Sequence, residues 1–175
     1  MAAEKEVIFL YPNPYGPGER LVDVINNMPV AFLSMSAFLE DHGIPTRIID
    51  TRAEDYRQQD YSNAIFVGIT ALTGMMIKNG LTLARLVRER HPDIPIVWGG
   101  SHPSLMPAQT IQHPLVDVVC QGEGEHAALD LAQALLDQKD IRDIAGLVTR
   151  EMDNPARPWM NMDEMVFVPV TTAST

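Results

Sequence analysis

A chain of 175 residues, 46% of them hydrophobic, suits one α/β unit built around a single sizeable core. Its formal net charge of -10 argues against a broad attraction to nucleic acid or to anionic lipid. The single cysteine, Cys120, excludes an internal disulfide and a Cys-rich metal site. The amino terminus lacks an apolar segment behind a basic start, so a cytoplasmic chain with no membrane partner is expected.

In chain order, Glu6-Val7-Ile8-Phe9-Leu10 reads as a first buried strand, and the Pro- and Gly-rich stretch from Tyr11 to Gly18 as a long loop. Over residues 29–42, Val30, Leu33, Ala37 and Phe38 recur at helical spacing, and Gly43 supplies the stop. Thr46 to Asp50 follows as a second strand, then a polar stretch, 51–63, with room for a short helical turn. Ala64 to Ile69 is a nearly continuous apolar run, the mark of a strand buried on both faces at the centre of a parallel sheet. A helix over residues 75–90 is expected to turn Ile77, Leu81, Ala84 and Val87 inward. Residues 95–98 form the fourth strand and 99–104 its loop. After a short helix, 116–120 form the fifth strand, and the last helix runs to about Asp137.

This alternation implies a doubly wound, flavodoxin-like (Rossmann-like) parallel sheet of five strands in three α/β/α layers, spanning residues 1–150. Residues 144–149 have the composition to add a strand. Residues 151–175 read as a linker or tail.

In such sheets the ligand lies beyond the carboxyl ends of the strands. Four loops on that edge are rich in Gly, Pro and hydroxyl residues: 11–18, 70–74, 99–104 and 121–125. Gly99-Gly100 either lets backbone approach a flat or phosphate-bearing ligand or makes a tight turn. If the former holds, a side chain at Gly100 intrudes on the ligand rather than on the core. Gly122-Glu123-Gly124-Glu125 suits sugar hydroxyls, or is an acidic first helical turn. Thr70 and Thr73 are donors or caps, and Gly74 lets the next helix start close by. His102 is a ligand or a hydrogen-bonded structural residue. Cys120 reads as an inert core thiol, and the methionines, Met75 and Met76 included, as core or loop filler.

Together these strings resemble the N-terminal cobalamin-binding domain of cobalamin-dependent radical-SAM enzymes of the methyltransferase and cyclase type. The resemblance rests on Val67-Gly68-Ile69-Thr70 with Leu72-Thr73-Gly74, on Val97-Trp98-Gly99-Gly100-Ser101-His102-Pro103, and on Val116-Asp117 through Gly122-Glu123-Gly124-Glu125. It implies a cobalamin across the carboxyl edge, its nucleotide tail between the loops at 70–73, 99–102 and 122–125. The implied contacts are Tyr11, Asn13, Tyr15, Thr70, Leu72, Thr73, Gly74, Gly99, Gly100, Ser101, His102, Gly122, Glu123, Gly124 and Glu125. The first-strand loop lacks the Asp-x-His-x-x-Gly motif that supplies a lower cobalt ligand in methionine-synthase-like domains, so a base-off corrinoid without a histidine ligand is implied.

No Cys-x-x-x-Cys-x-x-Cys motif is present, so this chain is not expected to cleave S-adenosylmethionine itself. A full-length parent would add S-adenosylmethionine, an iron-sulfur cluster and a radical-SAM barrel, in cis or in trans. The chain then reads as a piece of such an enzyme or as a standalone corrinoid carrier. The alternative is a cofactor-free flavodoxin-like scaffold or partner-binding domain.

Overall fold

The computed structural model describes residues 4–15, 28–72, 74–159 and 161. Strands β1 (Glu6–Tyr11), β2 (Thr46–Asp50), β3 (Ala64–Thr70), β4 (Ile96–Gly99) and β5 (Val118–Cys120) pair in parallel, in the order β2-β1-β3-β4-β5. A sixth strand, β6 (Leu147–Val148), adds antiparallel to β5. The expected five-stranded parallel sheet therefore carries one antiparallel edge strand, within the stretch whose composition allowed one. Strand order reverses between β1 and β3, which places the switch point of a doubly wound sheet between Tyr11 and Thr70.

Period-two alternation divides β1 between two cores. Val7, Phe9 and Tyr11 join the helices α1 (Val30–Asp41) and α5 (Glu125–Leu136) on one face. Ile8 and Leu10 join α2 (Met75–Arg90) on the other. Central β3 is buried along its length except at Thr70, as its continuous apolar run requires.

Several expectations are corrected. Val30 is 66% exposed, and α1 buries Phe32 and Leu39 beside the expected Phe38. The inward stripe of α2 is Met76, Gly80, Leu83, Ala84 and Val87, with Ile77 and Leu81 at its margin. The helix rotates to this stripe because Gly80 lies against the fully buried Trp98 ring: a Cβ there would stand 2.9 Å from Cη2. Residues 99–104 are not a simple loop, since Ser101–Leu105 form a short helix, α3, followed by α4 (Pro107–Thr110). Strand β5 begins two residues late; just before it the Asp117 amide donates to the Ile96 carbonyl at 3.0 Å, while the Asp117 carboxylate accepts the Ile96 amide at 2.8 Å and pairs with Arg88. Residues 51–63 form turns, anchored by Arg47 on Gln59 and by the buried Tyr61, whose hydroxyl donates to the Tyr56 carbonyl.

After β6 the chain turns at residues 149–152, and Asp153 bridges Val148. The Gly146 amide donates to the Pro155 carbonyl at 2.9 Å, and Arg157 pairs with Asp130 of α5. The first residues of the stretch read as a linker are thus docked on the domain, and 162–175 lie outside the described residues. No described helix is long and apolar enough to cross a membrane.

Candidate functional site

All five parallel strands end on one edge, so the segments that follow them converge there. On the α1/α5 side the sheet surface is hollow. Gly68, in the middle of β3, has no side chain, and the Phe9 ring leans over it: a Cβ on Gly68 would come within 2.8 Å of Phe9 Cδ1. Phe9 stacks on Phe32 of α1 with ring centroids 4.6 Å apart and meets Phe66 edge-on at 6.4 Å. Between these rings, α1 and α5 lies a cavity of about 260 Å³. Phe9, Phe32, Phe66 and Ala128 line its interior, and Thr70, Gly99, Gly100 and residues 122–125 its carboxyl end, where the Met35 and Cys120 sulfurs lie beside Gly124. A smaller hollow of about 190 Å³ adjoins it at the switch point, bounded by Tyr11, Phe32, Thr70 and the exposed Leu72.

The structure therefore brings Thr70, Gly99, Gly100, Gly122, Glu123, Gly124 and Glu125 to one cavity, and Tyr11 and Leu72 to its neighbour. Asn13, Tyr15, Gly74, Ser101 and His102 line neither. The Asn79 side chain holds the loop after β1 by donating to the Asn13 and Tyr15 carbonyls. The His102 amide donates to the Ala71 carbonyl at 3.1 Å, which ties α3 to the segment after β3. Thr73 lies outside the described residues.

The two adjacent glycines differ in role. Gly100 has φ +91°, and a Cβ on it would meet Thr70 Oγ1 at 2.6 Å and the Ala71 carbonyl at 3.0 Å. Glycine is required there by the packing of two loops, which corrects the expectation that a side chain would meet ligand first. Gly99 borders the cavity, and its Cβ would make only ordinary contact with the Cys120 carbonyl at 3.7 Å. Gly122, at φ +80°, has open space where a Cβ would stand, but its amide already donates to Ser104 Oγ at 3.0 Å.

At the mouth, Ser34 Oγ of α1 donates to Glu125 Oε1 of α5 at 3.0 Å, so this carboxylate also serves the first turn of its helix. Burial pushes the Cys120 thiol up to about 12, with the negative charge of Glu125 adding and Arg157 opposing, so it stays neutral. Burial also raises the Tyr11 phenol, although Arg52 lies over its ring at 4.8 Å. Arg52 is held in turn by Asp50. Among the described residues no cluster of His, Cys, Asp and Glu is arranged to hold a metal ion.

Sequence reasoning missed the apolar interior formed by Phe9, Phe32, Phe66 and Ala128. A glycine inside an otherwise bulky buried strand, Gly68, is the one signal that points to it.

Comparison with known proteins places these features in a family. A family model described as a B12 binding domain matches residues 26–132. The uncharacterized methyltransferase PH0819 of Pyrococcus horikoshii is 32% identical over 148 residues, covering 78% of this chain and 31% of its own length. An anaerobic magnesium-protoporphyrin IX monomethyl ester cyclase of Rubrivivax gelatinosus is 30% identical, covering 74% of this chain and 24% of its own. Among solved structures, the radical S-adenosylmethionine methyltransferase TsrM of Kitasatospora setae, with cobalamin and a 4Fe-4S cluster bound, superposes with a TM-score of 0.69 at 20% identity. It covers 94% of this chain and 31% of that one, a likeness of fold. The chain spans between about a quarter and a third of the length of these relatives.

Proposed function

The chain belongs to the B12-binding domain family, and on that premise we propose that its cavity takes the nucleotide tail of cobalamin while the corrin ring rests outside, over the carboxyl edge. The observation that carries this reading is the cavity itself, roofed by α1 and α5 and open where β3, β4 and β5 end. Its volume of about 260 Å³ suits a bicyclic base with its ribose and is too small for a macrocycle. The residues fit the group in a second way. A Cβ on Gly74 or Gly122 would meet nothing within 4 Å, so this edge leaves room for a large flat ring to come close to backbone. In this reading the Glu123 and Glu125 carboxylates accept from ribose hydroxyls at the mouth, and Tyr11, Thr70 and Leu72 border the ring at the switch point.

Bound cobalamin supplies a cobalt centre able to accept and donate a methyl group. This chain's residues hold and orient it, and the apolar side chains around the tail exclude water. The corrinoid is base-off with no histidine from this chain on cobalt. In support, the loop after β1, residues 11–18, contains no histidine. We assign the carrier to a radical-SAM enzyme of the methyltransferase or cyclase type, whose barrel, in cis or in trans, provides S-adenosylmethionine and the iron-sulfur cluster.

Equilibrium dialysis of the folded chain against hydroxocobalamin tests the reading. About one corrinoid retained per chain is expected. No retention by protein with an intact circular dichroism spectrum would leave only the scaffold alternative.

A further inference from the structure

We propose that the cavity selects the lower base of the corrinoid by polarity, accepting a benzimidazole and rejecting a purine; this rests on the seating of the nucleotide tail proposed above. Depth is the first argument. On β3 the lining passes from Thr70 at the edge through Gly68 to Phe66, four residues and about 13 Å down the strand. The groups able to hydrogen-bond a ligand, Thr70, Glu123 and Glu125, stand at the open end. Farther in, the walls are Phe9, Phe66, Val97, Leu131 and Leu147, with carbon surfaces only.

The backbone offers nothing more at that depth. Gly68 is in register with Phe9 on one side and Val97 on the other, so its amide and carbonyl belong to the sheet ladder. The remaining side-chain heteroatoms are the sulfurs of Met35 and Cys120, which lie beside Gly124 toward the open end and are weak partners, a thioether and a neutral thiol.

A dimethylbenzimidazole presents a carbocyclic edge with two methyl groups to these walls and requires no partner there. The edge-on arrangement of Phe9 and Phe66 suits the C–H rim of a flat bicycle. Adenine at the same depth brings an exocyclic amine and additional ring nitrogens, each stripped of water with no acceptor or donor to replace it. The penalty falls on the purine alone, so the two cobamides, otherwise identical, separate in affinity.

The test titrates the whole chain with three corrinoids in the same cobalt state: cobalamin, its adenine-containing counterpart, and cobinamide, which has no nucleotide. Tryptophan fluorescence and equilibrium dialysis give the dissociation constants. Cobalamin is expected to bind about fivefold or more tightly than the adenine form, the equivalent of one uncompensated polar group. A smaller ratio, with both forms tighter than cobinamide, overturns the selectivity and leaves the seating of the tail intact. Cobinamide binding as tightly as cobalamin, or no binding of any corrinoid, overturns the seating itself and the selectivity with it. Ala128→Leu, which extends a side chain from α5 into the cavity, should bring cobalamin down to the affinity of cobinamide while leaving cobinamide unchanged. If that variant does not fold, the three titrations of the unaltered chain still decide.

Discussion

A Cβ on Gly100 would stand 2.6 Å from Oγ1 of Thr70, across the gap between the segments that follow β4 and β3. That distance is far inside van der Waals contact, and the φ of +91° adds backbone strain for any L side chain. Gly100→Ala should therefore cost about 2 kcal/mol or more of folding stability, read as a lowered urea midpoint. Gly99→Val should keep the midpoint near that of the parent, since its Cβ meets nothing closer than 3.7 Å, yet it should lose most corrinoid binding. The opposite pattern would return Gly100 to the ligand and Gly99 to the turn.

Gly80→Ala sets two effects against each other. Alanine in a helix interior gains about 1 kcal/mol over glycine. Its Cβ, however, would lie 2.9 Å from Trp98 and 3.2 Å from Ile69, both almost fully buried, and the indole is a rigid ring. Overpacking of this kind costs about 1–3 kcal/mol, so a net loss of about 1 kcal/mol is expected by chemical denaturation. A stabilised variant would show that α2 can slide on the sheet.

Gly80 also marks the limit of what is legible in the chain. The central strand was plain, because a run such as Ala64 to Ile69 has few alternatives to double burial. The edge at which the cavity opens was plain too, because glycine and hydroxyl residues cluster after the strands and nowhere else along the sheet. On α2 the expected Ala84 and Val87 do face inward, but Ile77 and Leu81 give way to Met76 and Gly80, since Gly80 faces inward for lack of a side chain and hydrophobic periodicity counts only side chains that are present. The cavity walls were hidden for a related reason. Phe9, Phe32, Met35 and Phe66 have the same composition and spacing as core residues, and only the packing shows that a hollow remains among them.

Alkaline stability follows from two buried acids. Burial moves the Cys120 thiol from 9.0 to about 12 and the Tyr61 phenol from 10.0 to about 12. The folded chain holds both protons at a pH where the unfolded chain releases them, so the unfolded state binds fewer protons there and stability falls as pH rises. Their contribution is complete below about pH 9 and is lost progressively toward pH 12. Urea midpoints measured across this range should decline. Cys120→Ala should remove the part of the decline that begins near 9 and leave the Tyr61 part, which begins near 10.

Electron paramagnetic resonance of the Co(II) corrinoid on this chain should show cobalt lines without nitrogen triplets. His42 is engaged by the Phe38 carbonyl at 2.8 Å, and His126 packs edge-on against the Phe38 ring. His91 ends α2 beside Tyr61, and His113 Nδ1 accepts the Leu115 amide. His102 sits on α3 without bordering either hollow. Triplets abolished by His102→Ala would place an imidazole on cobalt and reverse the orientation of the corrinoid.

The hairpin that follows β6 carries the backbone back to the rim from which it came. Had the chain ended its fold on β6 alone, it would have left the domain at the opposite, amino-terminal end of the strands. Instead, Asn154 and Pro155 lie beside Leu147 and Gly146, and Gly146 in turn accepts the amide of Gln121, next to Gly122 at the cavity mouth. Arg157 therefore lies beside Gly146, at the doorway rather than at the back wall. The Arg157–Asp130 latch and the Gly146–Pro155 bond hold the returning backbone to that doorway.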